Sequence, residues 1–303
     1  MSRRLQATNS DAELVDVSVA QRWLDHHGQQ ARAWLDEAPG IAQSWARKWH
    51  FTVEAPLAGG SVSVVLSVKR AGTPAVLKLA PPWSRWSQEE AAALRAWDGH
   101  GAAALLAASD DARALLLERV WPGTPADSRT AEDLATLLTK LSRPAVPPGM
   151  PSLADALKLR FDRAAENRHG LLSLEQLERA RRDAIDLAQT LQGQPLLCHG
   201  DLQSKNILLS SDRDLLVIDP NPCAGQPVYD AALWALTQLP IPAAPERTAT
   251  IAALLGLPEN EVLRWVILLA AVEVCLASLD RAEAYLELAE HLNAEWLRDV
   301  RGH

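Results

Sequence analysis

Residues 196–206 read LLCHGDLQSKN, and residues 215–222 read LLVIDPNP. The first stretch sets a histidine, an aspartate and an asparagine in one polar loop. The second is an apolar strand that ends on Asp219. Two explanations compete for these residues. Polar side chains in a turn cap nearby backbone N–H groups, and Asp201 and Asn206 have the chemistry for that. The same residues also meet the needs of phosphoryl transfer from ATP, which requires a carboxylate for the acceptor hydroxyl and oxygen ligands for Mg2+. On the second explanation Asp201 orients the hydroxyl and takes its proton. Asn206 gives its amide oxygen to the metal, and Asp219 supplies another metal contact.

Phosphoryl transfer also needs a phosphate cradle and a fixed cation, and both have candidates upstream in a consistent order. Residues 51–70, FTVEAPLAGGSVSVVLSVKR, predict a strand, a tight turn and a strand. Gly59 and Gly60, with Ser61 beside them, let backbone N–H groups approach phosphate oxygens, although a Gly-Gly pair is also an ordinary hairpin turn. Lys78 lies in the apolar run AVLKLA and is one of only six lysines in 303 residues. Taken alone, it is as easily an edge-strand charge. On the helix that follows, Glu90, Ala93, Leu94 and Trp97 fall at i, i+3, i+4 and i+7, so Glu90 shares the inward stripe. A carboxylate on a buried face needs a cation, and Lys78 is the obvious one. Held by Glu90, its ammonium is aimed at the α- and β-phosphates.

Working outward, residues 51–120 predict an antiparallel sheet carrying one helix, and residues 121–303 are mostly helical. Residues 1–50 predict a helical extension, in which Trp23, Trp34 and Trp45 recur every eleven residues and Pro39-Gly40 interrupts the helix. Mostly-β followed by mostly-α is an α+β chain of two lobes, joined near Glu118–Gly123.

The net charge of −8 argues against nucleic acid as a partner and leaves cationic small molecules open. Cys198, Cys223 and Cys275 are scattered and odd in number, with no metal-ligand spacing. The start, MSRRLQATNSDAELVDV, lacks a signal-peptide core, and the apolar segment 262–277 carries Arg264 and Glu273, against a membrane span. The expectation is a cytoplasmic protein with no membrane partner, its oligomeric state open.

HGDLQSKNIL followed by VIDPNP resembles the catalytic loop and metal-binding strand of the aminoglycoside phosphotransferase family, within the protein-kinase-like fold. APLAGGSVSVV, TPAVLKLAPP, EAAALRAWDGHG, ALLLERVWPGTP and GQPVYDAALW narrow the resemblance to its streptomycin 6-kinase and hydroxyurea phosphotransferase branch. The likeness spans roughly residues 45–240. It implies Asp201 as catalytic base, Asn206 and Asp219 as Mg2+ ligands, and Lys78 with Glu90 as the ion pair over the ATP phosphates. It also implies that ALLLERV is the hinge, where backbone groups of Glu118 and Val120 meet the adenine. The acceptor it implies is antibiotic-like. Alternatives are a sugar, a choline-like alcohol or an amino alcohol, or an ATP-binding pseudoenzyme. A protein kinase is disfavoured, because Asp230 is only the eleventh residue after Asp219.

The loop departs from the family's frequent HGDLHPGN, with Gln203-Ser204-Lys205 in the middle. Lys205 adds a cation that either meets the transferred phosphoryl group or faces solvent. The resemblance gives His199 a structural role, holding the loop. Cys198 reads as a small buried side chain and Asp230 as a helix N-cap, to which the resemblance adds a role in bracing the loop. Glu273, Asp280 and Glu287 recur every seven residues, with Glu283 and Glu290 nearby, as either an acceptor pocket or a solvated face. Arg160, Arg163 and Asn167 are equally ambiguous.

Overall fold

The computed structural model describes Val15 and residues 17–57, 62–126, 130–190 and 193–297. Alternation of buried and facing-out residues builds its first sheet. Strands β1 (Phe51–Pro56), β2 (Val64–Arg70) and β3 (Thr73–Leu79) are followed by β4 (Leu105–Ala108) and β5 (Ala114–Glu118). They pair antiparallel in the order β1-β2-β3-β5-β4. Val64, Leu66 and Val68 on β2, and Ala75, Leu77 and Leu79 on β3, turn one face into a core. Helix α1 (Val17–Trp49) covers that face with Ala31, Trp34, Ala38, Ala42 and Ala46. Period-two alternation then sends Lys78, between Leu77 and Leu79, to the opposite face.

Helix α1 does not break at Pro39-Gly40. It runs through both and breaks at Gly28, whose φ of 54° and ψ of −124° suit glycine alone. Burial of Ala38 and Ala42 against the sheet offsets the cost of Pro39 in the helix interior. Trp23 and Trp34 are buried and Trp45 is half-buried, but Trp23 lies beyond the break. Trp23 meets the Trp83 ring edge-on at 5.9 Å, and His27 stacks on Trp83 at 4.4 Å. Trp83 sits in the loop between β3 and helix α2 (Ser87–Trp97).

Two compact units emerge. One holds the described residues up to Ala91 with Leu105–Arg119, the other Ala92–Ala104 with the described residues from Val120 on. The second unit contains β6 (Pro122–Pro125), α3 (Ala131–Leu141), α4 (Leu153–Glu166) and α5 (Leu174–Thr190). It continues with β7 (Leu196–Cys198), β8 (Ile207–Ser210), β9 (Asp214–Val217) and β10 (Cys223–Gly225), then α6 (Pro227–Thr237), α7 (Ala244–Leu255), α8 (Glu259–Leu276) and α9 (Leu279–His291). Thr130 caps α3 in a reciprocal box with Asp133, and Ser152 caps α4. The apolar run 262–277 is α8, buried on nearly every side as a core helix. Among the described residues no helix is long and apolar enough to cross a membrane.

Between the helices lie two small sheets, β10-β7 and β6-β8-β9. The segment after α2 is sewn to the second of these. Val217 N–H donates to the Gly101 carbonyl at 2.9 Å, and Ala103 N–H donates to the Val217 carbonyl at 3.0 Å. Trp97 anchors the end of α2 by donating Nε1–H to the Leu141 carbonyl at 2.9 Å.

Candidate active site

Strand β7 is short, and the chain leaves it straight into His199, Gly200 and Asp201. Gly200 is at φ 77°, and a Cβ there would lie 1.8 Å from the Asn221 carbonyl oxygen. Only glycine fits so close an approach. Leu202 then plugs into the core with no exposed surface, and a single turn of 3-10 helix, Ser204–Asn206, closes the loop. The loop is pinned from below by Asp230. Its Oδ2 accepts the His199 N–H at 2.7 Å and its Oδ1 the Gly200 N–H at 2.9 Å. Asp230 is therefore not the N-cap of α6. Gln226 holds that position with Pro227 behind it, and Asp230 lies inside the first turn, buried. Burial pushes its carboxyl up to about 6, against the pull of those two N–H groups.

His199 is fully buried and fully used. Its Nε2 lies 3.0 Å from the Ile218 carbonyl, its Nδ1 accepts the Asp201 N–H at 3.2 Å, and its ring stacks on Trp97 at 6.2 Å. Donation from Nε2 and acceptance at Nδ1 define one neutral tautomer with no nitrogen left for an acceptor molecule.

Both carboxylate oxygens of Asp201 are held. Arg160 Nη1 donates to Oδ1 at 3.1 Å and Gln203 Nε2 donates to the same oxygen at 2.8 Å. Asn206 Nδ2 donates to Oδ2 at 3.0 Å and to the Asp201 carbonyl at 2.8 Å. Burial alone would raise the Asp201 carboxyl, but the Arg160 guanidinium and Lys205 outweigh it and hold the group below its usual value. Lys205 itself is exposed.

Asn206 and Asp219 come together through the β8–β9 hairpin. Ile207 pairs with Val217, and the Ile218 N–H donates to the Asn206 carbonyl at 2.9 Å, which leaves Asp219 as the next residue. Asp219 takes φ 57°, a left-handed backbone that a non-glycine residue adopts at a cost. Since the amide nitrogen of Asn206 is spent on Asp201, its amide oxygen is the atom free for a cation.

In the first unit, Lys78 Nζ lies 2.7 and 2.8 Å from the two carboxylate oxygens of Glu90, and both side chains are about nine-tenths buried. Glu90, Ala93, Leu94 and Trp97 are all buried, as their spacing predicts. Glu118 closes β5 opposite Ala75, and the buried Val120 packs with Ala103 and Leu216. Gly59, Gly60 and Ser61 lie outside the described residues.

Of the acidic residues spaced along the last helices, Asp280, Glu283, Glu287 and Glu290 are exposed and form a solvated face. Glu273 departs from them. It is buried on α8 and accepts from Arg160 Nη2 at 2.8 Å. Asn167 caps α4 at its C-terminus. Spacing alone left Arg160 and Glu273 ambiguous and had not singled out Gln203. Gln203 had one available signal, a donor side chain two residues from the aspartate.

A family model described as aminoglycoside/hydroxyurea antibiotic resistance kinase matches residues 48–273. The chain is 31% identical over 238 residues to streptomycin 6-kinase of Streptomyces griseus, covering 75% of each chain. It is 33% identical over 229 residues to hydroxyurea phosphotransferase of Kitasatospora aureofaciens, covering 72% of this chain and 65% of that one. Among solved structures, choline kinase LicA from Streptococcus pneumoniae aligns with a TM-score of 0.60 at 14% identity, over 84% of this chain and 97% of that one. A thermostable mutant of aminoglycoside phosphotransferase APH(4)-Ia aligns at 0.58 and 14%, over 83% and 97%. Identities this low speak to the fold, which is protein-kinase-like.

Proposed function

The chain belongs to the aminoglycoside/hydroxyurea antibiotic resistance kinase family and is an ATP-dependent phosphotransferase, and from that premise we propose a specific acceptor class and a role for each site residue. The acceptor is an antibiotic-like small molecule bearing a hydroxyl, with streptomycin and hydroxyurea the first to test. One observation carries the assignment of chemistry: a mostly buried aspartate, Asp201, with each carboxylate oxygen held by a donor, on a loop braced by Asp230.

The acceptor oxygen forms a bond to the γ-phosphorus as the bond from that phosphorus to the β–γ bridging oxygen breaks. ADP departs with the bridging oxygen, and the acceptor proton passes to Asp201 or on to water. Because neighbouring cations keep Asp201 ionised and weakly basic, its main task is to orient the hydroxyl; proton removal contributes about 10²–10⁴-fold. Lys78, held by Glu90, neutralises α- and β-phosphate charge. Gly59, Gly60 and Ser61 are assigned to the phosphates, and the backbone of Glu118 and Val120 to the adenine.

Asn206 and Asp219 fit Mg2+, since both offer hard oxygen atoms and two protein ligands leave room for phosphate oxygens and water. When bound, Mg2+ neutralises charge that develops on the phosphates. Asn206 keeps its amide oxygen turned to that task by spending its amide N–H on Asp201. Three buried free cysteines suit a reducing compartment, so we place the reaction in the cytoplasm.

A metabolite alcohol in place of the antibiotic would use the same machinery, and the shared fold of a choline kinase supports that second reading. The two are separated by acceptor-dependent ADP release, with mass spectrometry of the product for an added phosphoryl group. Transfer to streptomycin or hydroxyurea is the expected result. No transfer to either, with transfer to a sugar or amino alcohol, would overturn the antibiotic assignment.

A further inference from the structure

Glu273, Arg160 and Asp201 form a line of alternating charge through the second unit. Arg160 Nη1 donates to Asp201 Oδ1 at 3.1 Å, and Nη2 donates to Glu273 Oε1 at 2.8 Å. The side chains of Arg160, Asp201 and Glu273 are 12%, 14% and 8% exposed. They come from α4, the catalytic loop and α8.

A guanidinium that merely needed a partner would place both arms on one carboxylate, the favoured two-bond geometry. Here the fork is split between two. Glu273 holds one arm, so the guanidinium plane and the other arm are fixed together. Arg160 Nε has no hydrogen-bond partner among the described residues, so the side chain is not arranged for its own satisfaction. The effect falls on Asp201. Its Oδ1 accepts from both Arg160 and Gln203 and has no lone pair to spare, whereas Oδ2 accepts from Asn206 and keeps one.

We propose that Arg160, anchored by Glu273, is a positioning residue for phosphoryl transfer: it fills Oδ1 of Asp201 and leaves Oδ2 as the one oxygen that receives the acceptor hydroxyl. The proposal rests on Asp201 as the group that orients the hydroxyl. It also accounts for a carboxylate buried on α8 between Val272 and Val274. The acceptor meets a single oxygen at a fixed angle, so a misplaced hydroxyl finds no second one to use.

A lysine keeps the charge but not the planar fork, so it cannot hold both carboxylates as Arg160 does. For Arg160→Lys the expected result is kcat lower by about 10- to 100-fold with the KM for ATP within about threefold. Arg160→Ala loses more, and millimolar guanidinium restores part of its kcat by occupying the vacated position. Glu273→Gln, which still accepts from Nη2, loses less than either. Wild-type kcat in Arg160→Lys, or a loss that follows the fall in Tm across all three variants without guanidinium rescue, would overturn the proposal. Should Arg160→Ala not fold, the Lys and Gln variants still decide it. Basal ATP hydrolysis, in which water stands in for the acceptor, is followed in parallel. If the wild type phosphorylates no antibiotic, the acceptor assignment fails, while the variants' basal rates still test Arg160.

Discussion

Gly200 and Asn221 approach backbone to backbone, so that a Cβ on Gly200 would sit 1.8 Å from the Asn221 carbonyl oxygen. That contact sets the loop of Asp201 against the loop that follows Asp219. Gly200→Ala must either push Asn221 away or twist the loop, and it also carries alanine into φ 77° at a cost of about 1–2 kcal/mol. The expected outcome is a folded protein with a lower Tm and kcat reduced by about 100-fold or more, measured by thermal melts beside ADP release.

Asp201→Asn keeps the shape of the side chain and removes its charge. One of its atoms becomes an NH2 group facing donors from Arg160, Gln203 or Asn206. Turnover should fall by about 10²–10⁴-fold while nucleotide affinity, read by calorimetric titration, stays within about threefold. Unchanged turnover would remove Asp201 from the chemistry.

The buried pair of Lys78 and Glu90 separates stability from function. Glu90→Ala takes two carboxylate contacts away from a buried ammonium and should cost about 3–5 kcal/mol in urea unfolding. The double variant Lys78→Met/Glu90→Leu should recover to within about 1 kcal/mol of the wild type, because an apolar pair tolerates burial. Its ATP-dependent turnover should remain lost. Recovery of activity along with stability would mean that Lys78 does not meet the phosphates.

Asp230 yields a pH prediction. Its carboxyl titrates near 6 when folded and near 3.8 as a free side chain, so the folded state binds the proton more tightly. The group therefore favours folding most at pH below 3.8, and that contribution is lost as pH rises through 6. Relative to Asp230→Asn, wild-type stability should fall by about 2 kcal/mol between about pH 4 and pH 7, measured by urea unfolding at each pH. Parallel stability curves for the two proteins would contradict the buried titration.

What the sequence discloses depends on how local the determining physics is. Strands β2 and β3 alternate Val or Leu with outward residues, and Glu90 shares a stripe with Leu94 and Trp97, so sheet, helix and ion pair are all legible from spacing. Strand β4, LLAA, has no alternation and was not legible, nor was the three-residue β10. Pro227 at the start of α6 is a signal that places the cap at Gln226 rather than Asp230. Arg160 and Glu273 are 113 residues apart, and no periodicity carries information across that distance. Only the packing of α4 against α8 joins them.

The stitching of Gly101 and Ala103 to Val217 bears on how such a chain is inherited. The polypeptide leaves the first unit at Ala91, threads the second, and returns at Leu105 before leaving again after Arg119. A recombination event that exchanged residues 51–120 as one block between two relatives would carry along a guest segment whose hydrogen-bonding partners stay behind in the recipient. Crossovers that keep residues 99–104 with β9 should survive more often, so the seams of viable chimeras will follow the ladder rather than the linear order of the gene.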